Sequence, residues 1–374
     1  MKKANRPVHV PLNTLQRFMR DVFIRIGVPP ADAAICADVL AAADRFGIDS
    51  HGISRLKPIY YDRIKAGIQR PKTRLRKVNE SPATAVLDAG NGMGHVAASR
   101  AMALAIRKAR KYGLGMVAVR NSTHYGIAGY YSLMAVKAGM IGITGTNARP
   151  SVAPTFGTEN MLGTNPITFG MPTDEPFPFL LDCATSAIQR GKVEVYAKLG
   201  QTLPEGWVIA PDGTSKTNPG EVLDDLVAGQ AALVPLGGIG EELAGYKGYG
   251  YATAVEILCA ALQQGAFLQM LSGHDEQGRK IPYPLGHFFL AINIAHFTPL
   301  ASFRKIAGDI LRQLRASRKM PGADRIFTAG EKEYLAARQR RKTGVPVNRE
   351  TQKEILAMRK ELGLQKYRFA FARK

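Results

Sequence analysis

The chain has 374 residues, 45% of them hydrophobic, enough for a substantial core and two or more lobes, and its 51 lysines and arginines against 30 acidic residues give a formal charge of +21. Cys36, Cys183 and Cys259 stand far apart without CxxC spacing, which argues against a disulfide framework or a zinc site and for a reducing compartment, the cytoplasm. No apolar run approaches transmembrane length, and the opening through Asn5, Arg6, His9 and Asn13 lacks the apolar stretch of a signal peptide.

The first expected element is an amphipathic helix in which Leu15, Phe18, Met19, Val22, Phe23 and Ile26 recur at helical spacing, opened by Asn13-Thr14 and closed by Gly27. An Ala-rich helix over 31–45 follows the Pro29-Pro30 break, and the two form a hairpin packed on the main body. The middle of the chain reads as α/β, with strands at 84–89 and 115–120 around a helix at 97–112. After a helix at 129–137 come apolar runs at 140–146, 166–172 and 177–182. These suit strands buried on both faces. A helix at 251–264, a polar loop at 272–283 and a strand at 287–294 complete this part. The C-terminal part is helical: Phe303, Ile306, Ile310, Leu311 and Leu314 share a face, and a last helix spans 350–362. The division drawn is an N-terminal helical part (1–80), an α/β lobe (81–297) and a helical return to the first part (298–374). Much of the positive charge falls in segments such as 100–111 and 312–374, interleaved with apolar residues at helical spacing. That is the pattern of a solvated helix face, so nucleic acid is an unlikely partner.

The dinucleotide fingerprint GxGxxG after a strand is absent. Gly90-Asn91-Gly92-Met93-Gly94 has the wrong spacing, and Gly139, Gly142 and Gly145 run through a strand. Two other segments offer exposed N–H groups to an anion. Asp182-Cys183-Ala184-Thr185-Ser186-Ala187 leaves an apolar strand through small residues, and Gly245-Tyr246-Lys247-Gly248-Tyr249-Gly250 forms a loop opening the next helix, with one lysine at its middle. Such segments also occur as ordinary turns.

Proton transfer at an anionic substrate needs a proton donor or acceptor, a cation for the anion and a group to orient the donor. Asp49-Ser50-His51-Gly52-Ile53-Ser54-Arg55 contains all three. If the helix continues through Gly52, His51 and Arg55 share a face at i, i+4. The alternative is a capping Asp-Ser pair beside a buried histidine and a surface arginine. His124, in Asn121-Ser122-Thr123-His124-Tyr125-Gly126 just after a strand, is a second candidate. His9, His95, His274, His287 and His296 are assigned structural or surface roles. No Gly-x-Ser-x-Gly elbow, Walker loop or His-Glu-x-x-His helix is present.

Six segments together resemble one family. Asp49-Ser50-His51-Gly52 with Arg55 and Tyr60, Ser122-Thr123-His124-Tyr125-Gly126, Leu162-Gly163-Thr164-Asn165-Pro166, Asp182-Cys183-Ala184-Thr185-Ser186 with Gly191-Lys192, Leu203-Pro204-Glu205-Gly206-Trp207 and Gly245-Tyr246-Lys247-Gly248-Tyr249-Gly250 occur in the order seen in the malate/L-lactate dehydrogenase family. That family also holds L-sulfolactate, ureidoglycolate and diketogulonate oxidoreductases and cyclic-imine reductases. The resemblance runs from Leu12 to Leu364. It implies an α/β fold with a non-Rossmann, open mixed-sheet cofactor lobe, a helical lobe built from both chain ends, a homodimer, and NAD or NADP as cofactor.

By the same resemblance His51 is the proton donor or acceptor, with Ser50 and Asp182 as a relay, and His124 shares the pocket. Arg55 holds the carboxylate of a small anionic substrate, with Tyr60 beside it. Asn147, Asn165, Asp182, Cys183, Ala184, Thr185, Ser186, Lys247, Gly330 and Glu331 meet the dinucleotide. The expected reaction moves a hydride between nicotinamide and a malate- or lactate-like acid. Alternatives are a cyclic-imine carboxylate reductase and an inactive basic protein that binds nucleic acid. Three positions depart from the family pattern: Ala148 follows Asn147 where a polar residue is common, Asn293 replaces an aspartate, and Ala329 replaces the proline before Gly330.

Overall fold

The computed structural model describes residues 7–372. The chain opens with a short strand, β1 (Val8–Val10), and a helical hairpin of α1 (Leu12–Arg25) and α2 (Pro30–Arg45). Leu15, Phe18, Met19, Val22 and Phe23 are fully buried, as their spacing predicts. The helix starts before Asn13-Thr14, however, with Pro11 at its N-cap, and the second begins on Pro30, whose fixed φ suits the first turn. Then come a π-helical turn (Leu56–Tyr61) and the four-residue α3 (Asp62–Lys65).

The α/β part supplies β2 (Arg76–Glu80), β3 (Thr84–Asp88), α4 (Gly94–Tyr112), β4 (Leu114–Ser122), α5 (Gly129–Lys137), β5 (Met140–Thr146), β6 (Ile167–Met171) and β7 (Phe179–Cys183). Between the small-residue helix start expected at 183–187 and the glycine-rich segment at 245–250, the sequence pattern predicts no regular element. The structure has α6 (Arg190–Leu199), β8 (Val208–Ile209), α7 (Pro219–Ala228) and β9 (Ala232–Leu233) there, gathered on a small core of Val152, Leu162, Val193, Val222 and Leu233. After α8 (Gly245–Ala260) and β10 (Leu285–Asn293) the chain ends in α9 (Leu300–Ala316), α10 (Glu331–Thr343), β11 (Val345–Val347) and α11 (Arg349–Glu361).

Seven strands form one mixed sheet in the order β2-β3-β4-β10-β5-β6-β7. Only β3 and β4 run parallel; the other neighbours are antiparallel. Successive residues of β10 face opposite sides. Phe289 and Ala291 pack with the alanine face of α4 and with Tyr131 of α5, whereas Phe288 packs with Val255 and Cys259 of α8. Burial on both faces therefore holds for β10 and much of β5. It fails for β6, where burial alternates, and for β7, where only Leu180 is buried.

A second core draws on both chain ends. Val10, Phe18, Phe23, Leu40 and Tyr60 join Val345, Val347, Ile355, Met358 and Phe369, and β1 pairs antiparallel with β11. Two segments sit elsewhere than expected. β2 pairs with β3 at the sheet edge, outside the N-terminal helical part, and α9 is tied to the turn between β6 and β7 through the Arg312–Asp174 and Arg312–Glu175 ion pairs. Ile306, Ile310 and Leu314 of α9 are more than half exposed while Leu311 is buried, so part of its apolar face is uncovered by the described residues. No helix of the described residues is long and apolar enough to cross a membrane.

The glycine-rich segment 245–250 is a further difference. It is the first part of α8 rather than a loop before it. A Cβ on Gly248 would lie 2.2 Å from the carbonyl oxygen of Leu236, and one on Gly245 2.1 Å from that of Gly238. The glycines let the helix press against the backbone of 236–238.

Candidate active site

α2 ends at Arg45, and Gly52 adopts φ −92°, ψ −139°, so no helix carries His51 and Arg55 on one face. His51 sits in a turn and Arg55 closes a short 3₁₀ turn over Ile53–Arg55. The shared-face expectation fails because the chain needs an extended residue here. Ile53 N–H then turns back to the buried Asp44 carboxylate at 3.0 Å, whose pKa burial pushes up to about 8. From the far end of the chain, Arg340 of α10 donates to the Asp44 carbonyl and, at 2.8 Å, to Asp49 Oδ2. Both chain ends thus fix the loop that presents Ser50 and His51.

His124 follows β4 and meets His51 face to face, ring centroids 5.7 Å apart with 22° between planes. Its Nδ1 accepts the Gly126 N–H at 3.3 Å and lies 2.6 Å from the Tyr60 hydroxyl. A backbone N–H can only donate, so Nδ1 is the unprotonated nitrogen and Nε2 carries the hydrogen. His51 Nδ1 lies 2.9 Å from Ser50 Oγ. Burial first, and the Arg55 charge second, lower the His51 pKa from 6.5 to about 4. Burial, then the charge of His51, holds His124 well below its ordinary value. Both rings are neutral at pH 7.

The two imidazoles line a cavity of about 220 Å³ with Ser50, Thr146, Ala184, Asp182 and Glu333. Asp182 ends β7. Burial raises its pKa to about 6, against the lowering effect of a 2.8 Å hydrogen bond from Gly129 N–H and with a further raise from Glu333. Glycine at 129 lets the backbone approach this closely, since a Cβ would come within 2.7 Å of the Asp182 carboxylate and push it aside. Half of the expected relay is present: Ser50 reaches His51, whereas Asp182 is held by the start of α5, with no hydrogen bond to Ser50 among the described residues.

Arg55 donates through Nε to the Ser50 carbonyl, leaving its terminal nitrogens without a hydrogen bond among the described residues. It does not itself line the cavity, but its charge reaches both histidines. Tyr60 is not at the cavity surface either. The π-helical turn buries it completely behind His124, where its hydroxyl supports the ring instead of meeting a substrate.

A cavity that pairs neutral imidazoles with carboxylates suits proton movement at a small anion, and the likeness to known proteins agrees. The profile of the malate/L-lactate dehydrogenase family matches residues 10–356. The chain belongs to this family. It is 43% identical to a malate dehydrogenase of Pyrococcus horikoshii, over 96% of both chains, and 37% identical to an L-sulfolactate dehydrogenase of Methanocaldococcus jannaschii, over 93% of this chain and 96% of that one. The crystal structure of malate dehydrogenase from Entamoeba histolytica superposes with a TM-score of 0.92 at 44% identity, covering 96% of this chain and 98% of that one. The protein is a 2-hydroxyacid dehydrogenase.

Within this family frame, the residues expected at the dinucleotide fall into two groups. Asp182, Ala184 and Asn147 line the cavity, where Gly126, Ala128, Ala148 and Ala184 leave space that no long side chain fills, beside the apolar Ile48, Ile127, Pro166 and Leu285. A flat ring with a polar substituent fits such a lining. The side-chain amide of Asn147 and most of the remaining residues are engaged within the protein. The Asn147 amide donates to the Ala266 carbonyl and accepts from Gly286 N–H; Asn165 donates to Glu256 at 2.7 Å and accepts from Ala148 N–H. Cys183 Sγ faces the Ile167 carbonyl, Thr185 Oγ1 donates to the carbonyls of Thr164 and Asn165, and Ser186 Oγ donates to that of Ile188. Glu331 is buried in an ion pair with Arg325, just after Gly330 at the α10 N-cap. Glu333, two positions on in the same first turn, is the carboxylate that lines the cavity, and sequence reasoning missed it. Lys247 is exposed near the start of α8, with its ammonium 5.8 Å from the Tyr246 ring centre.

Proposed function

We propose that this dehydrogenase oxidises a small 2-hydroxy carboxylate, malate foremost, and runs the reverse reduction, with His51 as the base and His124 as the group that orients the reacting oxygen. The observation that carries this reading is the stacked imidazole pair at the cavity. His124, whose Nδ1 accepts the Gly126 N–H, keeps its hydrogen on Nε2, and His51 is assigned the tautomer that donates from Nδ1 to Ser50 Oγ, which leaves its Nε2 lone pair for the substrate. The donor holds the substrate oxygen and the lone pair takes its proton. Because His51 is neutral down to about pH 4, it is ready to accept that proton at pH 7. Asp182 and Glu333 in the same cavity offset the imidazolium that forms.

The free terminal nitrogens of Arg55 are the proposed grip on the 2-carboxylate. A nicotinamide cofactor, NAD or NADP, supplies the hydride acceptor. The small-residue wall at Ala128, Ala148 and Ala184 would hold its ring end, and Lys247 at the start of α8 is the proposed phosphate contact. Free Cys36, Cys183 and Cys259 support a cytoplasmic setting. The uncovered apolar face of α9, with Ile306, Ile310 and Leu314, supports a homodimer, which light scattering tests directly.

The test of function offers oxaloacetate, pyruvate, sulfopyruvate and piperideine-2-carboxylate with NADH and with NADPH, following cofactor oxidation. The highest kcat/KM is expected for oxaloacetate. A protein that reduces none of the 2-oxo acids with either cofactor would overturn the reading.

A further inference from the structure

The reaction cavity continues outward. A second hollow of about 290 Å³ shares His124, Ala148, Thr164 and Leu285 with the first and adds Arg149, Arg190 and Tyr283. A third, of about 430 Å³, shares Arg149 and Tyr283 with the second and opens onto Arg63. The guanidinium of Arg63 lies 4.3 Å from the centre of the Tyr283 ring, and that of Arg149 5.9 Å. Arg190 is engaged with Glu194 at 3.4 Å, and Asp62, on the third hollow, with Lys57 at 2.8 Å. Arg149 and Arg63 have no ion pair and no side-chain hydrogen bond among the described residues.

A guanidinium without a carboxylate partner keeps its N–H groups free, and those match a carboxylate or sulfonate bidentately. Arg149, exposed in the second hollow beside Tyr283, is therefore open to an anion, in a hollow that His124 also lines. The Arg63 charge reaches His124, which puts this cationic wall within electrostatic range of the reaction centre. A substrate with one acidic group needs one cation, already assigned to Arg55.

We propose that Arg149, held against Tyr283, binds the second acidic group of the substrate, so that the enzyme selects 2-hydroxy acids bearing an additional carboxylate or sulfonate over monoacids. Tyr283, whose ring lies between Arg63 and Arg149 in the same hollows, is a positioning residue for the guanidinium. This inference rests on the proposed function and names the feature that sets its substrate class.

Steady-state kinetics of wild type, Arg149→Ala and Arg149→Lys with oxaloacetate and pyruvate tests it. Losing a charge-assisted contact lowers kcat/KM for oxaloacetate about 10- to 100-fold, mainly through KM, and lowers that for pyruvate far less. Lysine restores part of the difference. Tyr283→Leu raises KM for oxaloacetate several-fold, while Tyr283→Phe, which keeps the stacking face, stays near wild type. Equal losses for both substrates, or no loss for oxaloacetate, would overturn the assignment. Calorimetric titration of malate and of lactate into wild type and Arg149→Ala separates this inference from the parent reading. A malate preference lost in the variant supports Arg149 even in a protein that turns over neither acid, and equal binding of the two acids by wild type sinks it.

Discussion

Two pairs of desolvated histidines lie close together in this protein, and only one pair is built for chemistry. His51 and His124 have Nδ1 tied to Ser50 and to Gly126 with Tyr60, and both rings line a cavity. His95 and His287 are fully buried with pKa values lowered to about 3 by burial. Both nitrogens of His95 and the Nε2 of His287 have no partner among the described residues. His95 packs 4.6 Å from the Tyr60 ring, and His287 lies flat on Tyr125 at 4.5 Å. A strongly lowered pKa is common to all four, so desolvation alone does not mark a catalytic histidine. A ring anchored at one nitrogen and lining a cavity does.

The largest effect expected from this contrast is on turnover. His51→Ala should lower kcat for hydroxyacid oxidation about 100- to 10,000-fold, the range for loss of a general base, while circular dichroism and thermal midpoint stay close to wild type. His287→Leu, at the other pair, should leave kcat within a few-fold. A His51→Ala protein with near-normal kcat/KM would dissolve the distinction between the pairs.

A smaller effect separates the two members of the reactive pair. Tyr60→Phe removes the hydroxyl from His124 Nδ1 but leaves the Gly126 N–H, so the ring can tilt and its tautomer is less strictly held. The expected loss is about tenfold in kcat, as for one neutral hydrogen bond, with KM little changed. If KM rises and kcat does not, Tyr60 touches the substrate after all, as the family resemblance first implied.

The elements that were legible in the sequence are those where one period dominates. The face of α1, the strands of the sheet centre and the α4 helix follow from spacing, and the order of motifs carried the family. The missed features are places where tertiary contact overrides local pattern. Gly245 and Gly248 look like loop residues because nothing in the sequence shows the 236–238 backbone pressing on them. The exposed Ile306, Ile310 and Leu314 look like core, since a sequence does not say which apolar face finds a partner. In the site, His51, His124 and Asp182 were found through their neighbours in sequence. Glu333, Arg149 and Tyr283 come from segments without a motif and meet the cavities only through the fold.

The smallest effect concerns the pair without access to a cavity, and its sign follows from proton linkage. In the unfolded chain a histidine titrates near 6.5; in the fold His95 stays neutral down to about 3. Between those values the unfolded state binds one more proton, so the stabilisation present above pH 6.5 is lost as pH falls toward 3, by about 1.4 kcal/mol per pH unit. His95→Leu removes that titration together with two unpaired buried nitrogens, in a residue of similar bulk among Phe23, Tyr60 and Gly126. Urea midpoints at pH 7 and pH 5 should therefore show a smaller acid loss in His95→Leu than in wild type, with kcat at pH 7 within a few-fold. An unchanged acid loss would mean that His95 is protonated or water-bound in the fold, and it would then belong with His124 across Tyr60 rather than with the inert core.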